Sequence, residues 1–230
     1  MKKQRIFLAA LLVISAALPI SAGAEIEGVH TTACSLIDVD SLKVLYREND
    51  DKQLPMASTT KIMTALVAIE NGNLLDEVTI TSESAGTEGS SIYLEVGETL
   101  TLEELLYGLM LHSGNDAAVA IAIHIGGSVS GFCDMMNQKA KEIGANNTNF
   151  VNPNGLPANG HHTTANDLAI IAATAMRNEQ FRKIVGTTEI TIPHDGRDWD
   201  RALSNKNKLL YSYDGANGIK TGYTKAAGRC

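Results

Sequence analysis

The chain has 230 residues, of which 44% are hydrophobic and 20% charged, with three cysteines and a formal charge of −7. That length and apolar share give one packed domain or a little more, and exclude a disordered or low-complexity chain. The acidic balance excludes a nucleic-acid binder, and Cys34, Cys133 and Cys230, too scattered and with no Cys-x-x-Cys, exclude a disulfide framework.

The chain starts with Lys2, Lys3 and Arg5, then an apolar run from Ile6 to Leu18, a break at Pro19 and the small-x-small triplet Ala22-Gly23-Ala24. That pattern predicts a secretory signal peptide over residues 1–24, its apolar run being too short for a membrane span. Export places the remaining domain, 25–230, on the extracytoplasmic face of a cell envelope. Its removal takes away three positive charges and leaves a more acidic domain. Two β-type runs, Ala33 to Val39 and Leu42 to Tyr46, flank Asp40-Ser41 and read as a hairpin. An apolar helix then begins near Ser58 and should end in a left-handed cap at Asn71-Gly72. Val78 to Ile80 is a short strand, Ser82 to Ser91 a small-residue loop, and Gly97 lies in another turn. Thr101-Leu102-Glu103-Glu104 is a capping box that opens a helix from Leu102 to Leu111. His112 to Asn115 interrupts it, and Asp116 to Ile125 is apolar nearly all round, hence a buried helix. An amphipathic helix follows from Ser130 to Gly144. The turn formers from Asn146 to Pro157 make a loop, and Thr164 to Asp167 caps a helix running to about Met176. From Thr187 the pattern turns to strands: Thr187 to Ile192, Trp199 to Leu203 and Gly218 to Thr224. Strands at both ends with helices between predict an α+β fold in which the two ends share an antiparallel sheet. Cys34, on a strand, and Cys133, on a helix, read as buried thiols.

Three short motifs carry the chemistry. In Ser58-Thr59-Thr60-Lys61, three-residue spacing puts the hydroxyl and the amine on one helical face. A serine is a weak nucleophile until a base takes its proton, and a lysine is such a base only when burial or another cation lowers its pKa. Ser113-Gly114-Asn115, between two helices, points a hydroxyl and an amide into a cleft. Lys220-Thr221-Gly222, in a late strand, offers a fixed positive charge, a hydroxyl donor, and a glycine against which a substrate backbone can lie. Each is weak alone; their order along the chain makes them strong together.

Ser-x-x-Lys and Lys-Thr-Gly are signatures shared by penicillin-binding proteins and class A β-lactamases. Beyond them, the stretches Met56 to Ala65, Ser113 to Ala118, Asn149 to Leu156 and Asp214 to Thr224 resemble the low-molecular-mass D-alanyl-D-alanine carboxypeptidases, over roughly residues 30 to 230. The resemblance implies a β-lactamase/transpeptidase-like fold with a helical subdomain between the sheet strands. It implies an acyl-enzyme on Ser58, with Lys61 as base, Ser113 relaying a proton and Asn115 holding Lys61 or the substrate amide. It also implies that Lys220, Thr221 and Gly222 bind the substrate's end, and that the N–H groups of Ser58 and Tyr223 form the oxyanion hole. The partners so implied are stem peptides ending in D-Ala-D-Ala and β-lactam antibiotics, with no cofactor.

A β-lactamase is the nearest rival, but Ser113-Gly114-Asn115 replaces the Ser-Asp-Asn of class A enzymes, and Glu142, the glutamate nearest the deacylation pattern, closes a surface helix. His161-His162 lacks a carboxylate partner motif for a metal and belongs to a loop, and His112 beside Ser113 reads as packing. There is no glycine-rich phosphate loop. The family's chains continue beyond the third motif, so the sheet is expected to be incomplete, with membrane attachment left to a further C-terminal part. An inactive remnant is the second alternative.

Overall fold

The structure is a computed structural model that describes residues 30–230; the expected signal peptide lies outside the described residues. β1 (Cys34–Ile37) and β2 (Val44–Glu48) form the expected antiparallel hairpin, with a register shift between Leu36 and Ile37. Asp38 ties its turn by accepting from the Ser41 hydroxyl at 2.5 Å and the Ser41 N–H at 2.9 Å. This is the local competition with regular structure that makes aspartate a turn former.

A short 3-10 turn, Ala57–Thr60, leads directly into α1 (Lys61–Asn71). Residues 61 to 68 of α1 are all buried, and α2 (Leu102–Met110), α3 (Asn115–Gly126), α4 (Val129–Glu142), α5 (Ala165–Met176) and α6 (Glu179–Gly186) all pack against it. Met63, Leu66, Leu105, Leu106, Leu109, Phe132 and Phe181 fill the space between them. Each such side chain contributes about 1.5–3 kcal/mol on burial. The capping box of α2 forms as expected: the Thr101 hydroxyl accepts from the Glu104 N–H, and the Glu104 carboxylate accepts from the Thr101 N–H at 2.7 Å.

The strands of the second half are β5 (Glu189–Ile192) and β6 (Arg201–Ser204), paired antiparallel, and β7 (Tyr223–Thr224) with β8 (Gly228–Arg229). β3 (Glu77–Thr79) pairs with β4 (Thr99–Thr101) in between. The arrangement is α+β with antiparallel ladders, as expected, but the ends of the chain do not share one sheet. Among the described residues each ladder stays two-stranded. α5 packs on β1, while β7 and β8 span two residues each and spend their hydrogen bonds on each other. The hairpin β1–β2 accordingly leaves Leu36 and Leu45 more than half exposed.

Arg201 on β6 is buried and joins this ladder to the segment before β4. Its guanidinium is ion-paired with the buried Glu98 and donates to the carbonyls of Ile92 at 2.8 Å and Tyr93 at 3.0 Å.

Five local expectations are corrected. Gly72 is extended (φ −114°, ψ 166°), not left-handed; a side chain there would strike Ile125 Cδ1 at 2.5 Å and Leu102 Cδ2 at 2.6 Å, so close approach is what needs the glycine. α6 and the short α7 (Leu209–Ser212) fall where no element was expected, and Trp199 lies outside β6, edge-on to His194. Lys220 and Thr221 are not in a strand: regular pairing begins only at Gly222, which exchanges hydrogen bonds with the main chain of Cys230 at 3.0 and 2.9 Å. Cys133 is buried, but Cys34 only half so.

Candidate active site

The nucleophile candidate lies where the 3-10 turn meets α1. Three residues per turn stack Ser58 over Lys61, and Lys61 Nζ is 3.3 Å from Ser58 Oγ. Lys61 has no exposed surface. Its amine also donates to Asn115 Oδ1 at 2.7 Å and to the main-chain carbonyl of Asn154 at 2.5 Å. Burial first, then the charges of Lys220 and Lys206, hold its pKa well below the ordinary lysine value, with Asp116 opposing them. The condition set by chemistry for a lysine base is therefore met by its surroundings.

Asn115 opens α3, and its amide is fixed at both ends: Oδ1 on Lys61, and Nδ2 donating to the Glu88 carbonyl at 2.6 Å. The preceding Ser113 is buried with a left-handed backbone (φ 65°), as is Ala57 (φ 46°), the residue before Ser58. Such conformations cost a non-glycine residue about 1–3 kcal/mol and persist only where the surroundings enforce them.

Asp116 is part of that enforcement. Its fully buried carboxylate accepts from the Ser91 hydroxyl at 2.5 Å and from the N–H groups of Ile92 and Leu94 at 3.1 Å, pinning the 91–94 segment to the start of α3. An acid at a helix N-terminus is an ordinary capping signal, and the sequence assigned this one no separate role.

The loop from Asn152 to Leu156 closes the site from the other side. It is stitched by its own asparagines: Asn152 Oδ1 accepts from the Gly155 N–H at 2.7 Å, and Asn154 Oδ1 from the Leu156 N–H at 3.0 Å. Gly155 has φ +90°, and a Cβ on it would fall 1.8 Å from the Ala57 carbonyl oxygen. His161, just beyond, faces Thr60 Oγ1 through Nε2 at 2.8 Å, while its Nδ1 accepts from the Val151 N–H at 3.2 Å. The Thr60 hydroxyl in turn donates to the Ala57 carbonyl at 2.8 Å. Burial lowers the pKa of His161 to about 4, so the ring is neutral. It braces the turn that carries Ser58, and both of its nitrogens are taken by Thr60 and Val151.

Gly222 lies against Ser58 from the β7 side, a Cβ there coming within 3.1 Å of the Ser58 nitrogen and 3.2 Å of Ala57 Cβ. Lys220 is half-buried; burial and then Lys206 push its pKa down to about 7. Thr221 and Tyr223 are exposed beside it. Lys206 is a third cation of the site, felt by Lys61, Lys220 and His112, and no motif announced it. Glu142 ends α4 on the surface, paired with Lys139 at 3.7 Å and away from these groups.

The D-alanyl-D-alanine carboxypeptidase family model matches residues 21–230, nearly the whole chain. The chain belongs to the D-alanyl-D-alanine carboxypeptidase family. Among its relatives are the D-alanyl-D-alanine carboxypeptidase DacF of Bacillus subtilis, 43% identical over 202 residues (85% of this chain and 51% of that protein), and the Streptomyces sp. K15 enzyme of the same description, 37% identical over 81% of this chain and 69% of that one. The chain thus spans about half the length of DacF. The crystal structure of DacD from Francisella tularensis superimposes with a TM-score of 0.82 at 31% identity, covering 90% of this chain and 63% of that one. The S216A mutant of Streptomyces K15 DD-transpeptidase does so with a TM-score of 0.80 at 36% identity, covering 86% and 82%.

Proposed function

We propose that this chain is an exported serine-type D-Ala-D-Ala carboxypeptidase that removes the terminal D-alanine from peptidoglycan stem peptides and is acylated by β-lactams. The observation that carries the reading is the environment of Lys61. Asn115 Oδ1, the Asn154 carbonyl and Ser58 Oγ surround the amine at 2.7, 2.5 and 3.3 Å, and burial with the charges of Lys220 and Lys206 favours its neutral form. In that form the two oxygens that can only accept take its N–H bonds, and its lone pair is free to take the Ser58 hydroxyl proton.

The steps follow from that arrangement. Ser58 Oγ attacks the carbonyl of the penultimate D-alanine as its proton passes to Lys61 Nζ. The N–H groups of Ser58 and Tyr223 receive the developing oxyanion, each such donor being worth about 3 kcal/mol. The peptide C–N bond then breaks, and the leaving amine takes a proton through Ser113, which leaves the acyl ester on Ser58. Water hydrolyses the ester and restores the serine. Lys220 and Thr221 hold the terminal carboxylate, with Lys206 adding positive potential. Residues 1–24 serve as the export signal, so the reaction belongs to the extracytoplasmic face of a bacterial envelope.

Intact-mass measurement of the chain with benzylpenicillin, alongside Ser58→Ala, tests this. A long-lived adduct that disappears in the variant supports the reading. Rapid consumption of the drug without a lasting adduct makes the chain a β-lactamase, and neither adduct nor turnover removes the acyl-enzyme altogether.

A further inference from the structure

Tyr93 holds a left-handed backbone (φ 59°) although its side chain lies in solvent, 78% exposed. For a bulky residue that conformation is costly, and it survives only where the surroundings impose it. Two buried charged groups do so here. Asp116 accepts from the N–H groups of Ile92 and Leu94 on either side, and Arg201 donates to the carbonyls of Ile92 and Tyr93 at 2.8 and 3.0 Å. The main chain is thus clamped around a ring that packs on little of the protein and that none of the steps above uses.

The turn between β5 and β6 brings a second ring to the same place. Arg201 also donates to the Pro193 carbonyl at 3.2 Å, and Arg197 donates to Glu95 at 2.5 Å, so this turn and the segment of Tyr93 are joined twice. Trp199, 59% exposed, is held edge-on against the buried His194 with ring centroids 4.3 Å apart, and His194 in turn faces Glu95 at 3.8 Å.

We infer that Tyr93 and Trp199 form a platform for the glycan strand of peptidoglycan, a carbohydrate site separate from the Ser58 centre that holds the protein on its polymeric substrate. The choice of a glycan rests on the carboxypeptidase reading, since the peptides cleaved there hang from a sugar polymer. A pyranose ring carries C–H groups on its faces and hydroxyls around its edge. It suits exposed aromatic rings set among hydrogen-bonding groups, whereas a protein partner covers a more continuous apolar core. Around Trp199 the exposed Asp195, Asp198 and Asp200, with Glu95, supply acceptors for sugar hydroxyls, and the Arg197 guanidinium supplies donors. The same carboxylates repel an anionic polymer, so the occupant is a neutral N-acetylated sugar chain. The Tyr93 main chain and the Trp199 ring are set before the ligand arrives, and little ordering opposes binding.

Trp199 is the single tryptophan of the chain, so its fluorescence reports this surface alone. The test titrates the chain with chitotetraose, a tetramer of β-1,4-linked N-acetylglucosamine that carries no peptide. We expect a saturable blue shift of the emission as the indole leaves water. Tyr93→Gly removes the ring at a backbone angle that glycine adopts freely, and it should weaken binding at least ~10-fold. Trp199→Leu, followed by calorimetry, should do the same and serves if the first variant does not fold. The absence of any shift up to the solubility limit of the sugar, or an affinity that either folded variant leaves unchanged, overturns the platform. Adduct formation on Ser58 with benzylpenicillin is read from the same preparation. An adduct without sugar binding overturns the platform and leaves the carboxypeptidase reading standing; sugar binding without an adduct does the reverse.

Discussion

The main-chain oxygen of Asn154 accepts a hydrogen bond from Lys61 Nζ at 2.5 Å, across 93 residues of sequence. Because the acceptor is backbone, no side-chain exchange at position 154 removes it; only the lysine can be taken away. Lys61→Met keeps the length of the side chain and removes the nitrogen. We predict that it folds, and that its acylation by benzylpenicillin slows by ~10²–10⁴, the ordinary contribution of a general base. Stopped-flow or mass-resolved adduct formation measures this. A variant acylated as fast as the parent would remove Lys61 from the proton path.

Gly155 leaves no room for a side chain against the Ala57 carbonyl, 1.8 Å from where its Cβ would lie. Gly155→Ala must displace either the loop or the Ser58 turn. We expect a loss of at least ~1–3 kcal/mol in stability together with slower acylation. Gly86→Ala is the control. Gly86 also has a positive φ (+75°) but faces open space, so it should lose about 1 kcal/mol from strain alone and leave acylation unchanged.

Lys220 titrates at about 7, pushed down by burial and by Lys206. As pH rises through that value the free protein loses the ammonium that, in the proposed reaction, receives the substrate carboxylate. The peptide kcat/KM should therefore fall on the alkaline side from near pH 7, chiefly through KM, because a bound carboxylate restores the proton. Lys61 works in the opposite sense, since it must be deprotonated to act. Lys220→Arg keeps its charge and should move the alkaline limb to much higher pH; an unmoved limb would assign it to another group.

His161 binds a proton at about 4 when folded and near 6.5 when unfolded. Between those values the unfolded chain holds more protons. Its neutral ring therefore stabilises the fold fully above pH 6.5, and that contribution, about 3 kcal/mol at most, is lost as pH falls through 4. Urea unfolding at pH 7 and pH 4.5 measures the loss. His161→Gln should flatten the dependence over that window, and an equal slope in both proteins would exclude His161 as its source.

Arg201 and Glu98 form a buried pair. Arg201→Leu strands the carboxylate and should cost about 3–5 kcal/mol, whereas Arg201→Leu with Glu98→Leu should recover most of it, as replacing a whole buried pair usually does. Thermal denaturation of the two variants distinguishes them.

Ser58, Lys61, Asn115 and Gly222 were legible because each sits in a short motif whose residue types state their chemistry. The helices α1 to α5 were legible because their apolar spacing and their caps, at Thr101 and Thr164, are local. What escaped depends on contacts remote in sequence. The parts played by Lys206, Asp116 and His161 appear only when segments remote in sequence meet, as at Thr60 and His161, 101 residues apart. The strand expected over Gly218 to Thr224 starts late, because the glycines at 215 and 218, with φ of +88° and +153°, keep the chain irregular until Gly222 finds Cys230. Gly72 was read as a cap from position alone, which gave no sign of Ile125 and Leu102 closing on it.

Lys61 draws its hydrogen bonds from residues 54 and 93 positions further along the chain. Contacts of that span close late, because a long loop must be ordered before they form. Until they do, the lysine stays hydrated and charged, and Ser58 is as unreactive as any other serine. The lowered pKa of Lys61 is thus a property of the completed fold, and a partly folded molecule lacks the base that the proposed acylation needs.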